Sequence, residues 1–184
     1  SDNNSFDGTL PLLCLSPNST YYILVDGGSS ASGSRTGTFG LQVRSLDVHE
    51  GPDFRCTAED LGRVPEGSAT AAAGVQSNFC ATSFGDPAAT AFATQVTVWY
   101  KFEAPSSGHV VIEGRSEGLL YPLGIQLALY RPAEGNCNGS FEEIASGYEE
   151  SSSDENLQVT CLYPGETYYI MVDGFGTGGV GMFE

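Results

Sequence analysis

Four acidic residues, Glu149, Glu150, Asp154 and Glu155, crowd a serine-rich stretch near the C-terminus. Carboxylates at that density could ligate a hard cation, because Ca2+ gathers several oxygens at once. Their spacing is not that of an EF-hand, and a solvated acidic loop is the plainer reading. Glu142 and Glu143 are adjacent. On a strand they point to opposite faces and cannot form a glycosidase pair with each other. His49 sits in a short polar stretch and His109 opens a strand, neither beside a matching nucleophile. No Gly-x-Ser-x-Gly elbow, paired-histidine zinc motif or Cys/His signature occurs. The residues therefore speak against catalysis.

The remaining chemistry lies in five cysteines, Cys14, Cys56, Cys80, Cys137 and Cys161. No Cys-x-x-Cys pair is present and both histidines are remote in sequence, so zinc ligation is a poor fit. Disulfides are the better one. Cys56 and Cys80 are 24 residues apart, as are Cys137 and Cys161. Cys161 corresponds to Cys14 in an internal repeat, and the counterpart of Cys137 would fall before residue 1; we therefore expect the pairs Cys56–Cys80 and Cys137–Cys161, although four cysteines allow three connectivities. Cys14 is then left over, unpaired or bonded to a neighbouring chain. Such bonds persist in oxidising compartments, which points to a secreted or cell-surface location.

The elements that must position these residues announce themselves through a repeat. Cys14–Gly27 reads CLSPNSTYYILVDG and Cys161–Gly174 reads CLYPGETYYIMVDG, with ten of fourteen positions identical at an offset of 147 residues. A fixed offset is the mark of repeated modules, and here the period is a whole domain. We expect residues 1–47 to be the C-terminal strands of a preceding repeat, residues 48–53 a linker, and residues 54–184 a repeat lacking its last strand. The chain shows no signal peptide and does not begin with Met, so it reads as a mature or excerpted piece of a larger secreted protein.

Short apolar-alternating runs separated by Gly, Pro, Asn and Ser turns predict strands. They lie at Thr9–Leu15, Thr20–Asp26, Thr38–Leu46, Gln95–Glu103, His109–Gly114, Gly124–Arg131, Phe141–Ser146, Asn156–Leu162 and Thr167–Asp173, with a further start at Val180. Glycine is abundant, strong helix formers are sparse, and the only lysine is Lys101. The fold class is all-β, an antiparallel, jelly-roll-like sandwich stapled by disulfides. Net charge is −16. Nucleic acid is excluded as a partner, since phosphate binding needs a basic footprint. No apolar run is long enough for membrane insertion.

One strand is apolar on both sides. In Thr167–Asp173, Tyr168, Ile170 and Val172 share one face while Tyr169 and Met171 share the other; Tyr22 and Leu24 repeat the second face in the first copy. Trp99 likewise points away from Tyr100 and Phe102. Such faces are either covered by a loop or used in contact. Trp99 reads most simply as core under a loop, and otherwise as a sugar-stacking platform or interface anchor. Tyr22, Leu24, Trp99, Tyr169 and Met171 are the candidate contact residues. Asp26 and Asp173 precede glycine at strand ends, where a capping role is ordinary.

The run Val98-Trp99-Tyr100-Lys101-Phe102 and the run Pro164–Gly174 resemble the bacterial pre-peptidase C-terminal-like group. The resemblance covers nearly all of residues 54–184, with residues 1–47 as the end of another copy. It implies a β-sandwich module of secreted and surface proteins, often in tandem, that binds, spaces or assembles and does not catalyse. Related collagen-binding modules hold calcium through acidic residues near the domain start; here Glu50, Asp53, Glu59 and Asp60 lie there, without the collagenase pattern itself. The expected role is a structural module of an extracellular tandem-repeat protein, forming a filament, sheath or adhesin stalk. Its partners would be neighbouring copies of itself. The alternative is an accessory module of a secreted enzyme that binds surface glycans or protein. No cofactor is expected beyond the weak case for Ca2+.

Overall fold

The computed structural model describes residues 12, 14–16, 18–26, 29–30, 33–34, 36–45, 50–67, 70–117, 124–148, 154–175 and 179–184. The chain divides into two compact units, Ser1–Asp47 and Val48–Glu184.

In the first unit the described strands are β1 (Ser29–Ser30) and β2 (Gly33–Ser34), an antiparallel pair inside the Gly/Ser stretch that sequence reads as loop. Residues 20–26 and 38–45, expected as strands, belong to none. A strand is held by its ladder, and isolated extended segments are not stable alone. The expected strand Thr9–Leu15 falls mostly outside the described residues.

The second unit is all-β. A 3-10 turn, Arg55–Thr57, precedes β3 (Glu59–Arg63), β4 (Gln76–Ser77), β5 (Val98–Glu103), β6 (Val110–Gly114), β7 (Ser116–Glu117), β8 (Ile125–Pro132), β9 (Phe141–Tyr148), β10 (Glu155–Val159), β11 (Thr167–Gly174) and β12 (Met182–Phe183). The main sheet has the order β3-β5-β11-β8-β9, antiparallel except for β3 against β5. Two smaller sheets, β10-β6 and β4-β12-β7, accompany it. Period-2 alternation sends Val98, Tyr100, Phe102, Leu127, Leu129, Tyr168, Ile170 and Val172 into one core with Val110, Leu157, Val159 and Phe183 of the smaller sheets. That is the sandwich.

The other face of the main sheet is also dry. Trp99, Ala128, Tyr130, Tyr169 and Met171 form a second cluster with Phe92, flanked by Ala89, Ala91, Cys137, Phe141 and Tyr148. This explains why β8 and β11 are apolar on both sides: both of their faces are covered.

Residues 50–53 are not a linker. Glu50 bridges to Ser77 in parallel, Gly51 N–H donates to the Ser77 carbonyl at 2.8 Å, and Trp99 N–H donates to the Pro52 carbonyl at 2.9 Å. The approach is close: a Cβ at Gly51 would lie 3.0 Å from both Tyr100 Oη and Val98 Cβ, so those side chains would have to give by a few tenths of an ångström.

The two edges of the main sheet are irregular. In β3 the register shifts between Asp60 and Arg63, around Gly62 at φ +74°. Asp60 pairs with Lys101 at 3.4 Å and Arg63 with Glu103 at 3.6 Å. In β9 the register shifts opposite Leu129 and Tyr130, and Glu142 pairs with Arg131.

Candidate functional site: one repeated strand in two settings

The repeated phrase is the feature that sequence and structure illuminate together. Its second copy contains β11, which lies between β5 and β8. Tyr169 stands opposite Lys101 and Tyr130, and Met171 opposite Trp99 and Ala128. Met171 is 0 % exposed and Tyr169 7 %. The ring of Phe141 stands edge-on to Tyr169, centroids 5.1 Å apart, and Trp99 packs against Tyr130 and Phe141. On the opposite face Tyr168, Ile170 and Val172 are buried in the main core.

Asp173, the next-to-last residue of this strand, is fully buried. Its carboxylate accepts the backbone N–H groups of Gln95 at 2.7 Å, Val96 at 2.9 Å and Gly174 at 2.7 Å. Burial pushes its pKa up, and the three N–H donors pull it back. Asp173 thus ties the loop before β5 to the end of β11. The capping role read from the Asp-Gly pair holds here, with partners distant in sequence.

The loop that covers Trp99 is pinned by two more aspartates. Asp86 accepts from the Trp99 indole N–H at 3.2 Å and, through a short contact, from the Thr97 hydroxyl. Asp53 accepts from Thr82 N–H at 2.6 Å. Burial is the chief influence raising the Asp86 pKa, and nearby Asp53 adds to it. Carboxylates so placed hold backbone turns and threonine hydroxyls.

Tyr22 and Leu24 occupy the positions of Tyr169 and Met171 in the first copy of the phrase, yet they are 94 % and 93 % exposed. Tyr21, Ile23 and Val25, counterparts of Tyr168, Ile170 and Val172, are exposed as well. Full burial of such a side chain stabilises by about 1.5–3 kcal/mol. Tyr21, Ile23 and Val25 are about half covered, so the hydrophobic stabilisation realised at β11 and missing at residues 21–25 is roughly 5–10 kcal/mol.

Of the five candidate contact residues, Tyr22 and Leu24 are open to contact. Trp99, Tyr169 and Met171 are not: the loop anchored by Asp53, Asp86 and Asp173 covers them. Trp99 is core, so it cannot serve as a stacking platform for sugars.

The cysteine pairing is corrected too. Cys56 bonds Cys137 across 81 residues, joining the 3-10 turn to the loop between β8 and β9. Cys14 and Cys80 are also disulfide-bonded, and the free, exposed thiol is Cys161. The expected pairs fail because a disulfide is set by Cα–Cα distance, here 5.1 Å, not by position along the chain. Cys14 and Cys161 nonetheless share a left-handed backbone, φ +58° and +64°. The two copies of the phrase thus turn alike at their first residue.

Of the acidic stretch, Glu149 and Glu150 lie outside the described residues. Asp154 accepts from Ser116 N–H at 2.9 Å, and Glu155 begins β10 opposite Gly114. Among the described residues no three His, Cys, Asp or Glu side chains converge as metal ligands. No described helix is long and apolar enough to cross a membrane. Compared with protein-family models and with curated proteins, the chain finds no match.

Proposed function

We propose that this chain is a non-catalytic structural module of an extracellular tandem-repeat protein, of the pre-peptidase C-terminal-like kind it resembles. Neighbouring copies assemble through complementation of strands, giving a filament, sheath or stalk. One observation carries this reading. The same sequence is a strand buried on both faces in one copy, whereas in the other its apolar side chains stand in solvent and form no strand. Exposed apolar patches of that kind mark contact surfaces, and an extended segment of strand-forming sequence can be taken up by a sheet. A contact that is not self-complementary generates open filaments unless its rotation closes a ring.

Secretion fits the same picture. Disulfides such as Cys56–Cys137 form in oxidising compartments. The strongly acidic surface, with net charge −16, keeps the units soluble between contacts.

Negative-stain electron microscopy and sedimentation of the native chain test the proposal. End-to-end association that grows with concentration is the expected result. Monomers at every concentration, with no end-to-end contact, would count against it.

A further inference from the structure

The chain carries two nearly identical segments, of which one forms a strand, and its described β-sandwich holds that strand in a slot between β5 and β8. We infer that Thr20–Asp26 is an interchangeable donor for that slot, and that its acceptor is a second copy of this chain. The inference rests on the repeated strand being an assembly element and names its partner and register.

Each position of the slot can be checked against the donor. The core face of the slot holds Tyr168, Ile170 and Val172; the donor offers Tyr21, Ile23 and Val25, the same residue types in the same order. The covered face holds Tyr169 and Met171, and the donor offers Tyr22 and Leu24. Leu for Met is a volume-conserving exchange that cores tolerate well. Asp26 takes the place of Asp173, whose carboxylate gathers the Gln95 and Val96 amides. Thr20 matches Thr167 at the strand start. No position asks the slot to repack around a different shape or to bury a new polar group.

The register follows from the repeat. Ile23 would stand opposite Tyr100 and Leu129, as Ile170 does, and Leu24 opposite Trp99 and Ala128, as Met171 does. Both faces of the slot are apolar, so what opposes a one-residue slip is side-chain shape and the loss of the Asp26 carboxylate from the Gln95 and Val96 amides. A copy that accepts the donor releases its own Thr167–Gly174, which becomes a donor in turn. Exchange between near-identical strands conserves contacts while linking molecules, the low-cost route of domain swapping.

Two substitutions test this in the full chain. Ile170→Asp puts a charge into the core face of β11 and so weakens the resident strand. The donor segment stays intact. The variant is expected to remain folded by borrowing Thr20–Asp26 from a second copy. It should sediment as dimers or larger species, with an unfolding midpoint that rises with protein concentration. Ile23→Asp alone should unfold like the unmodified chain, because Ile23 is exposed. The double variant Ile23→Asp/Ile170→Asp should lose cooperative unfolding by itself. It should regain it when mixed with unmodified chain or with a synthetic peptide of residues 14–27, captured through a tag on one component. Ile170→Asp as unfolded as the double variant at all concentrations would overturn the inference. A folded, monomeric Ile170→Asp would overturn the second-copy acceptor. None of these outcomes requires the unmodified chain to polymerise, so the inference and the filament proposal fail separately.

Discussion

The indole N–H of Trp99 donates to Asp86 Oδ1 at 3.2 Å, joining the outer face of the main sheet to the loop that covers it. Trp99 is the only tryptophan and is fully buried. Its emission should be blue-shifted and shielded from acrylamide in the native chain. Asp86→Ala should raise acrylamide quenching by loosening the cover. Trp99→Ala should destabilise by about 3–5 kcal/mol, the usual loss for a buried aromatic. Chemical unfolding followed by circular dichroism measures it.

Acid stability has a definite sign. Burial raises Asp86 and Asp173 above the ordinary aspartate value of 3.8. A carboxyl whose folded pKa lies above its unfolded one binds its proton more tightly in the native state. Its contribution is fully present below 3.8 and is lost as pH rises through the folded value. Asp60 runs the other way: the Gly62 N–H lowers its pKa, and Lys101 adds to this. Its contribution is present above 3.8 and is lost as pH falls through the folded value. Relief of self-repulsion in a chain of charge −16 also favours mild acid. The melting temperature should therefore rise from neutral pH toward the ordinary carboxylate range and fall below it. Asp86→Asn with Asp173→Asn should flatten the rise. A steady fall on mild acidification would contradict the assignment.

Native alkylation should label one thiol per chain, at Cys161, and peptide mapping after iodoacetamide treatment identifies it. Replacing Cys56 and Cys137 together by serine removes a loop of 81 residues' separation. In the chain-entropy model that costs about 4–5 kcal/mol. Denaturant titration reads the loss.

Gly108 is a point of close approach. It has φ +65°, and a Cβ there would lie 2.5 Å from the Leu162 carbonyl oxygen. Leu162 N–H also donates to the Gly108 carbonyl at 3.0 Å. Gly108→Ala should destabilise by about 2–4 kcal/mol, from the left-handed backbone and the clash together. Its melting curve, compared with that of Gly62→Ala, separates the two contributions. Gly62 has the same sign of φ but nothing within 4 Å of the added carbon.

Much of the fold was legible where local pattern and tertiary setting agree. Gln95–Glu103, His109–Gly114, Gly124–Arg131, Phe141–Ser146 and Thr167–Asp173 all match observed strands to within a few residues. Their β-branched and aromatic alternation is the direct imprint of a buried sheet. β3 was missed because Glu-Asp-Leu-Gly-Arg has no alternation; it is held at an edge by backbone pairing and two ion pairs. β4 and β7 are two residues each, too short to carry a pattern. Trp99 was placed correctly on the outer face, and its cover was among the readings, but Tyr169 and Met171 were taken for contact residues. The covering loop is built from small residues, and what fixes it is the reach of Asp86 and Asp173 across the chain. Long-range capping of that kind leaves no periodic signal. The disulfide failed for the same reason.

The borders of the main sheet carry a consequence for how the molecule can aggregate. Through the kink at Gly62 and the charges of Asp60, Arg63 and Glu142, neither outermost strand presents a flat, neutral rail. Sideways accretion into amyloid-like stacks is thereby discouraged. A dense preparation of this protein should stay clear and fail to bind amyloid dyes.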